Sequence, residues 1–401
     1  MINTEEAIAI LKNISLLGFE KKPLSDAMGN ALAEDILADR DIPPSDRSAM
    51  DGYAVRSDDF EKLPCELELV GEIAAGSAFQ PQIAKGTCVR IMTGANIPPG
   101  ADSVVVFEKA QEGERSVFFH LPVKRGENIM RQGEDAKTGE TLIAKGTILG
   151  PLQIGVCASV GKAGVLVFRK PQVAVLCTGE ELRDVHESVE THELRNSNGP
   201  ALCAALDSFG YDVVESQIIK DSVNDLSREI ANAANFSDVI LLTGGVSKGK
   251  YDFVRSAVEK IGASIVFHGV AMKPGKPLLY AKLERNRHIF GLPGNPLSAM
   301  TGFFEFVVPA LRVLSGINPN ECRPSMFLKL SSKVTTKGGR AHFVQAKLEW
   351  GKEGPHVVPL VSHSSADLVC GGRSDGVIAV PPEVREIEPG SLVEFHSWKP
   401  L

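Results

Sequence analysis

The chain has 401 residues, of which 43% are hydrophobic and 23% charged, and its formal net charge is −7. This length exceeds what one hydrophobic core usually supports, so two to four domains are expected. The negative charge disfavours binding to nucleic acid or to an anionic membrane through a general positive field. No uninterrupted apolar stretch reaches about 18 residues, so we expect no membrane span. Seven scattered cysteines without a CxxC pair indicate a reducing compartment, and therefore a cytoplasmic location.

The first part of the chain predicts a β-rich domain inserted into a helical and extended one. The N-terminal segment MINTEEAIAILKNI has the pattern of an amphipathic helix, and the chain then runs extended to DIPPSD. From residue 47 to about 138 the composition shifts to glycine, valine and turn residues, and a helix follows at 149–159. We expect an N-terminal domain of residues 1–46 plus 139–170, with a β-rich domain inserted at 47–138.

From residue 171 the pattern alternates strand, loop and helix, which indicates a doubly wound, mostly parallel sheet over 171–320. Strands are predicted at 172–177, 213–219, 239–242 and 264–267, and helices at 198–209, 222–235, 253–261 and 296–314. Asn198 is expected to cap the first of these helices. After residue 320 only short strands are predicted, so residues 321–401 should form a small β-barrel or sandwich. The predicted fold class is multidomain α/β.

Three loops rich in glycine, proline and charge follow apolar runs of this region: TGGVSKGKYDF, MKPGKP and GLPGNPLSA. Open α/β sheets bind ligands at the carboxyl ends of their strands. Several such loops meeting there would bring Asp252, Lys273 and Lys276 together. The sequence therefore predicts a site for an anionic, phosphorylated ligand and a metal ion.

The glycine loop permits two interpretations. Gly244 and Gly245 would let the backbone approach a ligand and form an anion-binding nest, or they would simply make a strand-to-helix turn. The pair alone does not decide between these interpretations. Ser247 and Asp252 add a hydroxyl and a carboxylate just before the next helix, which favours a functional loop.

Asp221 also has two interpretations, as an ordinary helix cap or as a metal ligand. We expect its strand to lie next to the strand that precedes Asp252. Two carboxylates at that edge would suit Mg²⁺, which prefers oxygen ligands and shares its shell with phosphates and water.

Lys273 and Lys276 flank a Pro-Gly turn. Solvated surface lysines are the ordinary alternative, but a rigid double cation suits a tetrahedral oxyanion. Further polar or stiffening residues are predicted at the same edge, namely Glu181, Pro293, Asn295, Pro296 and Ser298. The inserted domain contributes turn residues whose ordinary role is favoured when each is taken singly: Asp51, Thr93, Gly94, Arg131 and Asp135.

Taken together, the motifs resemble the molybdopterin molybdenumtransferase family (MoeA type, including the E domain of gephyrin). The resemblance spans nearly the whole chain and depends on PPSDRSAMDGYAV, RIMTGANIPPGAD, RQGED, ASVG, TGEEL, NSNG, GGVSKGKYDFV, KPGKP and LPGNPLSA, in the family's order. It implies a homodimer of four-domain subunits, with a molybdopterin-binding α/β domain. The active cleft would lie between that domain of one subunit and the inserted domain of the other.

The resemblance also implies a reaction, in which molybdate enters the dithiolene of adenylylated molybdopterin and AMP leaves, with Mg²⁺. Asp221 and Asp252 would handle metal and phosphoanhydride, while Lys273 and Lys276 would face molybdate or phosphate. Possible oxyanion contacts are Ser298, Arg340 and Ser365. Further positions matching residues that the family ties to activity are Asp51, Thr93, Arg131, Asp135, Glu181, Pro293 and Pro296.

Two alternatives stay open at this point. One is a molybdopterin adenylyltransferase built on the same α/β core, which the inserted and C-terminal domains disfavour. The other is a non-enzymatic scaffold like gephyrin, which the intact aspartate and lysine set disfavours. Possible partner proteins are a molybdopterin adenylyltransferase and proteins of molybdoenzyme maturation, with neither nucleic acid nor membrane expected.

Overall fold

The computed structural model describes residues 1–246 and 253–399. The chain forms two compact units. One comprises Met1–Ala33, Gly146–Gly150 and Gly164–Leu401, and the other Glu34–Lys145 and Pro151–Ala163. The strand Phe19–Pro23 pairs antiparallel with Gly164–Phe168, so the chain returns to its first segment after the insertion. The finer division into four domains stays a prediction.

The smaller unit is built on a six-stranded sheet. In spatial order its strands are Ser103–Val106, Gly52–Val55, Thr87–Ile91, Cys65–Ile73, Ser116–Phe119 and Ala110–Glu112. Two short ladders flank it, Arg47–Ser48 with Ile129–Met130 and Ile36–Leu37 with Thr141–Ile143. Two 3₁₀ turns, Ser57–Phe60 and Phe107–Lys109, and the helix Pro151–Ser159 complete the unit. The sheet confirms the β-rich character that the composition predicts.

The larger unit contains the predicted doubly wound sheet, with six strands. Their spatial order is Val213–Ile219, Val173–Thr178, Val239–Thr243, Arg287–Leu292, Leu279–Leu283 and Ser264–His268. Only Leu279–Leu283 runs against the others. The central strands Val173–Thr178 and Val239–Thr243 are buried at every residue, which explains why their sequences are apolar without alternation.

Helices cover both faces of this sheet, as the alternation of strand and helix predicts. They are Thr4–Lys12, Asn198–Ser208, Val223–Ala233, Phe253–Lys260 and a long run from Pro296 to Leu314. Val173 and Val175 point into one core, which includes the first and last of these helices. Ala174 and Leu176 point into the other core, against the helices Val223–Ala233 and Phe253–Lys260.

The long helical run is not regular. It consists of α-helix Pro296–Gly302, a π-helical segment Phe303–Val307 and α-helix Val308–Leu314. Within the described ranges, this is the only helix with the length and apolarity of a membrane span, but 83% of its apolar 18-residue stretch is buried inside the protein. Its residues belong to the hydrophobic core on one face of the sheet.

The C-terminal strands close into a small barrel, which confirms the first of the two predicted forms. The strands are Met326–Leu330, Ala341–Gly351, Gly354–Pro359, Gly376–Val380 and Leu392–Ser397. The barrel closes because Ala341–Gly351 pairs with both Gly354–Pro359 and Gly376–Val380. Small elements complete the larger unit. They are the 3₁₀ turn Leu24–Asp26 and the ladders Leu182–Arg183 with Leu194–Arg195 and Val334–Thr335 with Glu386–Ile387.

Three sequence expectations are wrong. The strand that leads to Asp221 does not neighbour Val239–Thr243, because Val173–Thr178 lies between the two. A short helix, Leu368–Arg373, forms beyond residue 320, with Asp367 accepting a hydrogen bond from the Cys370 amide. The residue before the helix Asn198–Ser208 is Ser197, so Asn198 is its first residue and not its cap.

Candidate active site

Two neighbouring clefts lie where the loops after the sheet strands meet the barrel. The cation cleft, about 630 Å³, is lined by the KPGKP turn, the segment from Pro293 to Ser298, and barrel residues including Arg340 and His342. The strand-end cleft, about 420 Å³, is lined by the ends of the sheet strands, including Asp221 and Gly244. The two clefts share three lining residues, Pro277, Pro293 and Asn295. They are therefore adjacent.

Three cationic side chains line the cation cleft without a carboxylate partner. Within residues 1–246 and 253–399, no ion pair forms at Lys273, Lys276 or Arg340. Lys333 lines the same cleft but lies 2.8 Å from both Glu386 and Glu388. The first three charges are thus available to an anion, whereas the Lys333 charge is largely compensated.

Backbone pairing places these cations together. The short strand Met272–Lys273 pairs in parallel with Ala341–His342 of the barrel, which brings the KPGKP turn next to Arg340. Gly275 has φ +98°, and a Cβ there would lie 2.6 Å from Met272 Cε. The turn therefore requires glycine between its two prolines.

Two serines stand on another side of the cation cleft. The Ser298 amide donates a hydrogen bond to the Ser365 carbonyl at 3.2 Å, and Asn295 Nδ2 donates to Ser365 Oγ at 2.8 Å. Pro296 begins the helix that carries Ser298, and proline is well suited to that first position. The structure thus brings Ser298, Arg340 and Ser365 into one cleft with the two lysines.

The strand-end cleft contains Asp221, Glu181, Gly244, Gly245 and Pro296. The Thr178 hydroxyl donates a hydrogen bond to Asp221 Oδ1. The following helix is capped by Ser222, whose Oγ accepts from the Asp225 amide at 3.4 Å. Asp221 is therefore not the cap of this helix, and its carboxylate lines the cleft.

The glycine pair lies against the neighbouring strand, and the predicted approach of a ligand to its backbone stays a prediction. Gly244 has φ +91°, and a Cβ at this position would lie 2.0 Å from the Thr178 carbonyl oxygen. Gly245 has φ +61°. Any side chain at residue 244 would collide with the end of the neighbouring strand, so the glycine has a steric reason that is independent of a ligand.

Ser247 and Asp252 lie outside the described residues, so their predicted roles stay predictions. Across the described residues no group of three or more histidine, cysteine, aspartate or glutamate side chains forms a metal site. Asp221 is the described member of the predicted Mg²⁺ pair.

Two residues of these clefts escape prediction from the sequence. Asn198 Nδ2 donates to the Gly294 carbonyl at 2.8 Å and to Thr243 Oγ1 at 3.3 Å, which fixes the orientation of its amide. Asn198 Oδ1 is buried and has no hydrogen-bond partner among the described residues. The same holds for His342 Nε2 in the cation cleft. NSNG could have indicated Asn198, since it is one of the motifs in the resemblance, whereas no motif indicates His342.

The inserted domain contains its own group of predicted residues. Asp51 Oδ1 accepts hydrogen bonds from the Thr93 amide at 2.7 Å and its hydroxyl at 2.8 Å, and these bonds lower the pKa of Asp51. Gly94 follows with φ +82°. Arg131 lies 2.6 Å from Asp46, and Asp135 is exposed. The structure brings Asp51 and Thr93 together, while Arg131 is already paired.

Sequence comparison identifies three known regions in order along the chain. They are the MoeA N-terminal region (domain I and II) at residues 2–161, a probable molybdopterin binding domain at 174–313, and the MoeA C-terminal region (domain IV) at 328–398. The chain is 35% identical to the molybdopterin molybdenumtransferase of Staphylococcus aureus (strain COL) over 377 residues, which is 93% of this chain and 89% of that protein.

Solved structures agree with this similarity over the full length. The molybdopterin biosynthesis MoeA protein from Pyrococcus horikosii aligns with a TM-score of 0.81 and 32% identity, covering 100% of each chain. A second MoeA structure, from Pyrococcus horikoshii OT3, aligns with a TM-score of 0.85 and 28% identity, covering 99% of this chain and 100% of that one.

Proposed function

The chain belongs to the molybdopterin molybdenumtransferase family, and from that premise we propose which substrate each of its two clefts binds. Members of this family are transferases that insert molybdate in molybdenum cofactor biosynthesis, and that is the activity of this chain. The cation cleft binds molybdate. The strand-end cleft binds the pterin substrate through its adenylyl phosphoanhydride.

One observation carries this division: three cations without a carboxylate partner among the described residues, and two serines, converge in the cation cleft. Lys273, Lys276 and Arg340 supply charge to a tetrahedral dianion, and Ser298 and Ser365 supply hydroxyl donors. Because Lys333 is compensated by two glutamates, the positive charge is concentrated at the KPGKP turn and Arg340.

The strand-end cleft suits a phosphoanhydride beside a hard cation. Asp221 and Asn198 both line it, and oxygen donors such as a carboxylate are what Mg²⁺ prefers. Asp221, with Asp252, would hold the ion, which would neutralise charge on the phosphate oxygens. The Gly244–Gly245 backbone lets the phosphates approach closely. The shared residues Pro277, Pro293 and Asn295 then place molybdate beside the activated pterin.

In this proposal the protein supplies no nucleophile. The substrate brings its own sulfur ligands, and as the two dithiolene sulfurs bind molybdenum an oxygen ligand of molybdate would leave as water. The oxygen of a water molecule would add to the phosphoanhydride as its P–O bond breaks and AMP leaves. The chain's own residues orient the two anions and stabilise the charge that develops on the leaving phosphate.

The proposal is tested by mixing the protein with adenylylated molybdopterin, Mg²⁺ and molybdate, and following AMP. Molybdate-dependent AMP release is expected. Asp221→Asn should abolish most of it, because the amide oxygen can still accept from Thr178 but carries no charge for the metal. Asp225→Asn, on the following helix surface, is the matched control and should retain activity. ATP-dependent adenylylation of the pterin would instead indicate an adenylyltransferase, and no turnover at all would favour a scaffold.

We further propose a homodimer in which Asp51, Thr93, Arg131 and Asp135 of one subunit complete the clefts of the other. The resemblance supports this arrangement, and the described lining of both clefts comes from the larger unit alone. A cytoplasmic location is also proposed. It is supported by the seven cysteines, which are all free thiols. The proposed partners are the adenylyltransferase that makes the substrate and the proteins that receive the cofactor.

A further inference from the structure

We propose that His342 is a further oxyanion-binding residue, which takes up a proton when molybdate enters the cation cleft and then donates a hydrogen bond to it. This inference rests on the proposed function of that cleft. It assigns a role to a side chain that neither the sequence motifs nor the family resemblance indicates.

The first support is geometric. His342 is only 7% exposed and lines the cation cleft, and its Nε2 has no hydrogen-bond partner among the described residues. A buried polar atom in a folded protein nearly always has a partner, so an unpaired one requires an explanation. A ligand oxygen in the cleft supplies the missing partner.

The second support is the register of the backbone. His342 pairs with Lys273 in the parallel ladder that joins the KPGKP turn to the barrel. On its other side it pairs with Val380, in a strand without titratable side chains, Gly376–Val380. The imidazole therefore belongs to the same short stretch of barrel as Arg340 and lies beside one of the two turn lysines.

The charges around the ring explain why its protonation should depend on the ligand. Burial, and then the charges of Lys273 and Arg340, hold the pKa of His342 below its ordinary value. The other charged or titratable side chains lining the cleft are Lys276, Lys333 and the exposed His363. In the free protein the ring is thus neutral at neutral pH. A bound dianion reverses the sign of the local field and favours the imidazolium form.

The proton balance is simple. The neutral ring gains one proton from solvent, molybdate stays a dianion, and the new N–H donates to a molybdate oxygen. Histidine is the side-chain type that takes up protons near neutral pH, whereas lysine and arginine are not. Among the described residues that line the cleft, the histidines are His342 and His363.

The experiment is calorimetric titration of the full-length protein with molybdate, repeated at about pH 6.5 in two buffers of different ionisation enthalpy. The difference between buffers gives the protons taken up per molybdate bound. We expect uptake by the wild type, by His363→Gln and by His356→Gln, a barrel histidine outside the cleft. His342→Gln should show no uptake and should bind molybdate about tenfold more weakly.

Each outcome decides a separate question. Binding without proton uptake by the wild type, or uptake that persists in His342→Gln, overturns the role of His342. Failure of the wild type to bind molybdate overturns the proposed function of the cleft instead. Should His342→Gln not fold, the His363→Gln protein decides: uptake that persists there supports His342, and uptake that is lost there assigns it to His363.

Discussion

At the residue scale, Lys273 and Lys276 differ from Lys333, although all three line the cation cleft. Lys273 and Lys276 have no carboxylate partner among the described residues, whereas Lys333 contacts Glu386 and Glu388. We therefore predict that Lys273→Gln and Lys276→Gln each weaken molybdate binding about tenfold or more, as expected for loss of a charge-assisted contact. Lys333→Gln should change it by no more than about twofold.

Calorimetry at low ionic strength measures the molybdate affinity of all three variants. Added salt should reduce the differences in affinity between each variant and the wild type, because salt screens exposed charges. The three variants have the same chemical change, so a nonspecific effect of lost positive charge would weaken binding equally in all of them. Equal losses would contradict the assignment of the oxyanion to the KPGKP turn.

Gly244 and Gly294 offer a second matched pair. A Cβ at Gly244 would lie 2.0 Å from the Thr178 carbonyl oxygen at φ +91°, whereas a Cβ at Gly294 would find only ordinary contact, 3.5 Å from Gly244 Cα. Gly244→Ala should therefore destabilise the fold by about 2 kcal/mol or more, and Gly294→Ala by less than about 0.5 kcal/mol. Urea denaturation measures both. If Gly244→Ala unfolded at the same urea concentration as the wild type, the loop would be able to move away from Thr178.

The sequence predicts some of these residues and not others for a physical reason. Gly244 and Gly245 are predictable because short-range chemistry, a strand followed by a glycine turn, already fixes their position at the sheet edge. The rigid turn around Lys273 and Lys276 is also a local feature, but its place beside Arg340 depends on pairing with the barrel. Only the family resemblance indicates Arg340 and Ser365. The buried atoms of Asn198 and His342, which have no partner in the described part of the chain, arise from tertiary packing, and this leaves no local pattern in the sequence.

At the element scale, the π-helical segment Phe303–Val307 connects the long helix to the barrel. Its Glu305 is buried and lies 2.6 Å from Nδ1 of His396, whose Nε2 lies 3.2 Å from Glu394. Burial alone would lower the pKa of His396. The neighbouring carboxylates, with Glu305 first among them, outweigh burial and raise this pKa to about 9. This ion cluster thus joins the last strand of the barrel to the helix that begins at the cation cleft.

This raised pKa predicts how stability depends on pH. The folded state holds the His396 proton more tightly than the unfolded state, so the stabilisation is complete below about pH 6.5 and is lost as the pH rises towards about 9. We expect its loss to lower the free energy of unfolding by on the order of 2 kcal/mol. Urea denaturation at about pH 6 and pH 9 measures the change.

The matched variants are His396→Gln and His356→Gln. His396→Gln should be less stable than the wild type at the lower pH, and its free energy of unfolding should fall much less between the two pH values. His356→Gln should keep the wild-type dependence of stability on pH. An equally steep decline in wild type and His396→Gln would assign the effect to other groups, such as the buried thiols.

Element-scale prediction succeeds where the pattern is local and fails where neighbours are chosen in three dimensions. The buried strands Val173–Thr178 and Val239–Thr243 follow from continuous apolar runs. Their lateral order does not, and the strand before Asp221 pairs with Val173–Thr178 instead of Val239–Thr243. The π segment leaves no signal in the sequence because this helix is buried on nearly all sides, so an extra residue in one turn disturbs no visible periodicity. The helix Leu368–Arg373 has only 6 residues, fewer than two turns, which is too few for a periodic signal.

At the scale of the whole molecule, the proposed homodimer raises the question of which subunit completes which site. Asp51 belongs to the smaller unit, and Asp221 to the larger one. Each accepts a hydrogen bond from a threonine, Thr93 or Thr178, and an asparagine oxygen can accept the same bond. Asp51→Asn and Asp221→Asn therefore remove a charge while keeping the local contact.

Mixing the two inactive proteins distinguishes the arrangements, because a symmetric dimer with sites shared between subunits regains one intact site in each mixed dimer. After subunit exchange about half of the dimers are mixed, so about a quarter of the wild-type AMP release is expected. If each subunit completed its own site, every site in the mixture would still carry one lesion and activity would stay at the level of the single variants. Light scattering on the same samples must show a dimer mass, since a monomer could not complement. The recovered activity should also fall to nothing when both changes are placed in one subunit and mixed with either single variant, because no site then combines an intact Asp51 with an intact Asp221.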